Sequence, residues 1–139
     1  MTTARNRSAP LLTLAATLFA GALQAASPAA HAAESDFQRI QDTIFTPHCT
    51  GCHSGLFAPQ RLKLDARNSY RLLVGIQSAE VPALQRVKSG DPNASYLVQK
   101  LEGHAAVGIR MPASGPALTA EAIDLIRSWI ARGAPGPTP

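Results

Sequence analysis

Only two cysteines and two methionines occur among the 139 residues, and one of the methionines is the initiator. Two thiols leave room for a single disulfide or for half of a zinc site, so neither a disulfide scaffold nor an all-cysteine metal site can organise this chain. Aromatic residues are few, at 5%, and no dense Lys/Arg stripe with interleaved aromatics exists, which removes the usual footprint of a nucleic-acid binder. A Ser-His-Asp set, a cleft-forming pair of acids and an internal repeat are also missing. The longest apolar stretch, residues 11–26, is too short and too rich in alanine for a membrane span.

That stretch is better read as the centre of an export signal. Arg5 and Arg7 precede it, and Ala30-His31-Ala32 supplies small residues for cleavage. Residues 1–32 are therefore expected to be a cleavable secretion signal, with Ala25 as a second cleavage position, and the mature product to be a periplasmic protein without a transmembrane span. Removing Arg5 and Arg7 takes two from the 13 basic side chains against 9 acidic ones, leaving one small, mildly basic domain.

Ser35 and Gln38 have capping-box spacing, and Phe37, Ile40, Ile44 and Phe45 recur at helical intervals. A first helix is expected over 36–45, ended by Pro47. Asp65 is read as the cap of a second helix through Tyr70, Leu72 and Leu73 that stops at Gly75. Asp91-Pro92 is read as the start of a third, with Tyr96, Leu97 and Leu101 on its apolar side and Gly103 as its stop. Residues 76–90 show no regular pattern and are expected to be extended. Thr119 opens the strongest helix, in which Ala122, Leu125, Ile126, Trp129 and Ile130 form one stripe closed by Gly133. The Pro-rich tail, 134–139, is expected to be disordered. Trp129 and Phe45 are assigned to contacts between the first and last helices.

Both cysteines lie in "CTGCH", at Cys49 and Cys52, with His53 next to the second. Two thiols one helical turn apart can add to the two vinyl-bearing edges of a porphyrin, while the adjoining imidazole stands under the iron. This is the c-type haem attachment signature. Three other uses of the pair are weaker. A thioredoxin-like dithiol calls for βαβ surroundings that the pattern lacks. A zinc site has only two thiolates and an awkward Cys52-His53 adjacency. A disulfide across two residues constrains almost no chain. One haem c, covalently held through Cys49 and Cys52, with His53 as proximal iron ligand, is the expectation.

For the opposite face of the iron, Met111 is the only candidate thioether. It sits in a loop rich in Gly and Pro, "GHAAVGIRMPASGPAL". A His/Met pair raises the reduction potential. A lone methionine also serves as core filler, but the attachment motif and the adjacent Pro112 favour the ligand reading. His104, in the same loop, is the competitor, and His48 a poorer one. Arg110 is read as a partner for a propionate or as simply exposed. The Pro59 carbonyl is a candidate to orient the His53 ring.

With these residues in place, the chain resembles the monohaem bacterial cytochrome c family: an early helix, "CTGCH", short helices and loops, "RMP", and "LTAEAIDLIRSWIARGA". The resemblance covers about 36–133. "LKLDARNSYRLLVG" and "SGDPNASYLVQKLEG" resemble a branch of exported cytochrome c-like domains that occur alone or joined to larger enzymes. The resemblance implies an all-α cytochrome c fold over 34–133, with the first and last helices crossed and one haem in a crevice. By position it implies thioethers at Cys49 and Cys52 and axial ligands at His53 and Met111.

A six-coordinate iron has no open position for a substrate. The leading expectation is accordingly an electron carrier, not an enzyme, that exchanges electrons with periplasmic redox partner proteins. The alternatives are a haem-based sensor with an open or displaceable distal position, and a haem subunit docked to a larger periplasmic oxidoreductase.

Overall fold

The computed structural model describes Met1 and residues 35–137. The expected secretion signal, 1–32, and the last two residues of the tail lie outside the described residues. Residues 35–137 belong to a unit formed by residues 32–139. Among the described residues the secondary structure is helical, joined by turns and three isolated bridges. No helix among them is long and apolar enough to cross a membrane.

Ser35 caps α1 (Asp36–Ile40), its hydroxyl accepting the Gln38 N–H at 3.2 Å. The helix then widens into a π turn, Gln41–Phe45, in which the Thr46 N–H reaches back to the Gln41 carbonyl, and continues as α2 (Thr46–His48). Pro47 therefore does not end the first helix. It lies in the first turn of α2, where its missing N–H leaves nothing unmade, and the π turn before it relieves the clash its ring would make with an ordinary α turn. Cys49, at φ −122°, ends the run.

The π turn also sets Gln41 inward, 1% exposed. Its amide donates to the Leu64 carbonyl at 2.9 Å and to the Thr46 hydroxyl at 3.1 Å, and accepts from the Ser69 hydroxyl at 2.6 Å. Gln41→Leu should cost about 2–3 kcal/mol, because it leaves a buried carbonyl and a buried hydroxyl without partners. Urea denaturation of the purified protein measures this; a loss below about 0.5 kcal/mol, the scale of an ordinary surface change, would show that those groups find other partners.

The two acidic caps read from the sequence act one turn too early. Asp65 binds the Asn68 side-chain amide instead of capping, and α3 (Ser69–Leu73) starts after Asn68. The Asp91 carboxylate accepts the Ala94 N–H at 3.0 Å within a turn, which with the nearby Lys88 ammonium holds its carboxyl below the usual range, and α4 (Tyr96–Glu102) follows Ser95. In both places a local hydrogen bond of the aspartate, to a side chain at Asp65 and to the backbone at Asp91, competes with capping and the helix starts later. Gly103, at φ 82°, stops α4 in the left-handed conformation that favours glycine. Residues 76–90 form no regular element and pair through three isolated bridges, Val74–Val87, Gln77–Gln85 and Gln85–Ser95.

Thr119 caps α5 (Ala120–Ala131), accepting the Ala122 N–H at 3.3 Å. Ile126, Trp129 and Ile130 are fully buried, each contributing roughly 1.5–3 kcal/mol of apolar burial. Helix α5 packs on α1 and α4. Phe37 is the hinge of the first contact, with ring centroids 5.3 Å from Trp129 and 5.1 Å from Tyr70, the latter edge to face. Phe45 is in the same core, 6.3 Å from Phe37.

The tail departs from the expected disorder at its start. Ala134 is 1% exposed, its carbonyl accepts the Tyr70 hydroxyl at 3.0 Å, and the Pro135 carbonyl accepts the Trp129 indole N–H at 2.9 Å. Trp129, buried, and Tyr70, half-buried, each direct a polar donor at the chain leaving α5, which supplies both acceptors.

Candidate functional site

The segment 49–53 follows α2 as a series of hydrogen-bonded turns. The Cys49 N–H donates to Phe45 O at 2.9 Å, the Thr50 hydroxyl to Thr46 O at 2.6 Å, and the Cys52 and His53 N–H groups both return to Cys49 O, at 3.2 and 2.8 Å. This turn puts the two thiols and the imidazole on one tightly bonded coil. His53 is then gripped from the 62–64 segment: its Nδ1 lies 3.1 Å from the Leu62 carbonyl, and its own carbonyl accepts the Leu64 N–H at 2.7 Å. With Nδ1 engaged as a donor, Nε2 is the nitrogen left with a lone pair for a ligand. The orienting carbonyl is thus Leu62, not Pro59. Pro59 opens a 3₁₀ turn (Pro59–Arg61), and its carbonyl is taken by the Leu62 N–H at 3.0 Å.

Cys49, Cys52, His53 and Met111 all line one cavity of about 280 Å³. Its remaining wall is largely apolar, with Ile44, Phe45, Leu62, Leu64, Leu73, Leu97 and Leu101 contributing. Met111 is half-buried against the core, and its N–H donates to Lys100 O at 2.9 Å, which ties its loop to α4. The Met111–Pro112 peptide is cis. His104 is not on this wall; it is exposed, with Nδ1 3.5 Å from a Glu102 carboxylate oxygen. His48 does line the cavity, from an exposed position beside the cysteine turn. Arg110 does not, and its side chain instead fills the space above Gly103.

Burial pushes the Cys49 thiol up to about 11. That is the reverse of a reactive dithiol, whose attacking cysteine has a lowered pKa. Nor do the described residues contain any group of three or more His, Cys, Asp or Glu side chains placed to share a metal ion, as a zinc site requires. What the arrangement offers is two thiols, an imidazole nitrogen and a thioether on the wall of one apolar space. That set suits a planar apolar group bonded through sulfur, with a metal at its centre.

Sequence reasoning missed the charged part of the wall. Arg86 is 9% exposed, and donates to Leu72 O at 2.8 Å and Gln60 O at 2.7 Å. Desolvation lowers its pKa from the ordinary value, yet a guanidinium stays charged and keeps three of its five donors for other partners. The bond to Gln60 also explains how Gln60 and Arg61 persist at φ 54° and 53°, a left-handed backbone that non-glycine residues adopt at a cost. No periodic signal in "LQRVK" distinguishes a buried arginine from a solvated one. Glu80, Tyr96 and Lys100 complete the polar wall. The one-turn spacing of Tyr96 and Lys100 on α4 was the available clue to their partnership.

Compared with models of known families, with curated proteins and with solved structures, the chain matches none.

Proposed function

We propose that this chain is an exported monohaem c-type cytochrome of all-α, cytochrome c-like fold, which carries electrons between redox partner proteins of the periplasm. The observation that carries the reading is the meeting of Cys49, Cys52, His53 and Met111 on one apolar cavity wall. Bound there, haem c would supply an iron that alternates between the ferric and ferrous states. Cys49 and Cys52 would hold it by two thioethers. His53, steadied through Nδ1 by the Leu62 carbonyl, would offer Nε2 to the iron, and Met111 would offer its sulfur as a second ligand. Arg86, with donors left beyond its bonds to Leu72 and Gln60, would answer the negative charge of the propionates.

A carrier follows from a filled coordination shell, since the protein then needs only to exclude water, fix the ligands and offer a surface to a partner. The test is chemical. Purified from a host with active c-type maturation, the protein should keep its colour and the added haem mass through acid-acetone extraction and denaturing electrophoresis. A colourless product bearing a Cys49–Cys52 disulfide from the same host sinks the reading.

A further inference from the structure

The loop that carries Met111 has little apolar burial of its own. Val107 is 45% and Ile109 63% exposed, so hydrophobic contact does not hold the segment in place. Polar groups do. The Val107 carbonyl accepts two bonds from α4, from the Tyr96 hydroxyl at 2.9 Å and the Lys100 ammonium at 3.1 Å. Glu80 faces the same two groups from the other side, its carboxylate 3.1 Å from the Lys100 ammonium and 3.0 Å from the Tyr96 hydroxyl, whose single proton is shared between Glu80 and the Val107 carbonyl. The Lys100 side chain is 8% exposed, so these acceptors stand in place of water around its ammonium. Lys100 also receives the Met111 N–H on its own carbonyl. One residue thereby holds the loop at two points four residues apart.

Gly108 closes the arrangement. It is at φ 74°, and a Cβ there would stand 2.6 Å from the Lys100 ammonium and 3.0 Å from a Glu80 carboxylate oxygen. The backbone lies directly on the ion pair, where only glycine fits.

We infer that Glu80, Tyr96 and Lys100 form a latch on the distal loop, in which Lys100 is the positioning residue that keeps Met111 at the cavity wall and so closes that side to small exogenous ligands. The inference rests on the proposed reading of Met111 as an iron ligand. The latch sets how often the sulfur leaves, and therefore whether this site behaves as a carrier or as a gas-binding site.

Hydrogen exchange on the haem-loaded protein and carbon monoxide association with its reduced form provide the test. Lys100→Met should speed exchange of the 107–111 amides, and carbon monoxide association, by roughly 10–100-fold, the factor expected from losing a buried hydrogen bond to a charged group. Exchange in α5 should stay as in the parent, a separation that a merely structural role would not give. Gly108→Ala keeps all three latch residues while its Cβ forces the Lys100 ammonium and the loop backbone apart; it should reproduce the effect, and it decides the matter if Lys100→Met does not fold. Parent-like exchange at 107–111 in the variants, or acceleration spread evenly over α4 and α5, overturns the latch. Immediate and complete carbon monoxide binding by the parent protein would instead remove Met111 as ligand, with the exchange data still judging the latch.

Discussion

A Cys49→Ala/Cys52→Ala double variant, made in a host that matures c-type cytochromes, should carry no haem through a denaturing gel. Both thiols lie on the cavity wall and no other cysteine exists to replace them. Each single variant keeps one attachment point. Cys49 is half-buried at the end of the helix, whereas Cys52 is exposed, so the Cys49→Ala protein loses the anchor with the least freedom and should retain haem poorly. Haem staining and intact mass measure this. Staining that persists in the double variant would mean that the group is held by something other than the thioethers argued from "CTGCH".

Replacing Met111 should have the second large effect. In Met111→His the iron would keep two axial ligands, but the neutral thioether that favours iron(II) is exchanged for a better donor to iron(III). The reduction potential should fall by on the order of 0.1–0.3 V, part of the roughly 0.8 V that axial ligation spans across haem proteins. The near-infrared sulfur-to-iron band of the oxidised protein should vanish with it. His104→Ala should change neither, because His104 stands exposed beside Glu102 and off the cavity wall. Loss of the low-spin spectrum in His104→Ala, with Met111→Ala unaffected, would reverse the assignment.

What could be read from the sequence is what short-range chemistry decides. Thr119 and Gly133 bracket α5 as expected, and Gly103 ends α4, because caps and left-handed stops act within a few residues of themselves. That Cys49, Cys52, His53 and Met111 would share one cavity wall was legible for a different reason: the thiols and imidazole are held together by their spacing in the chain, and Met111 was the only thioether candidate. Long-range partnerships were not readable. Arg86 seeks carbonyls 14 and 26 residues away, Gln41 one 23 residues away, and no local pattern announces either. The tail was misjudged on composition, since Pro and Gly do suggest disorder, while the acceptors needed by Tyr70 and Trp129 are visible only once the core is assembled. Asp65 and Asp91 look like helix caps because the same carboxylate can cap a helix or bond within a turn; which one forms depends on the residues that follow.

The contact between α1 and α5 carries a consequence in time. Phe37 is buried against Trp129, and Asp36 pairs with Arg132 across a separation of 96 residues, so nearly the whole domain must be present before the first helix has its partner. Contacts this distant in sequence form late, after the entropy of closing the chain has been overcome. A chain exported from its N-terminus presents Cys49, Cys52 and His53 before α5 has crossed. Met111 follows them, and α5 comes last. If the chain is exported as proposed, the thiols would pass through an interval on the far side of the membrane with the α1–α5 contact still unmade, and in that interval an attachment machinery could reach both of them.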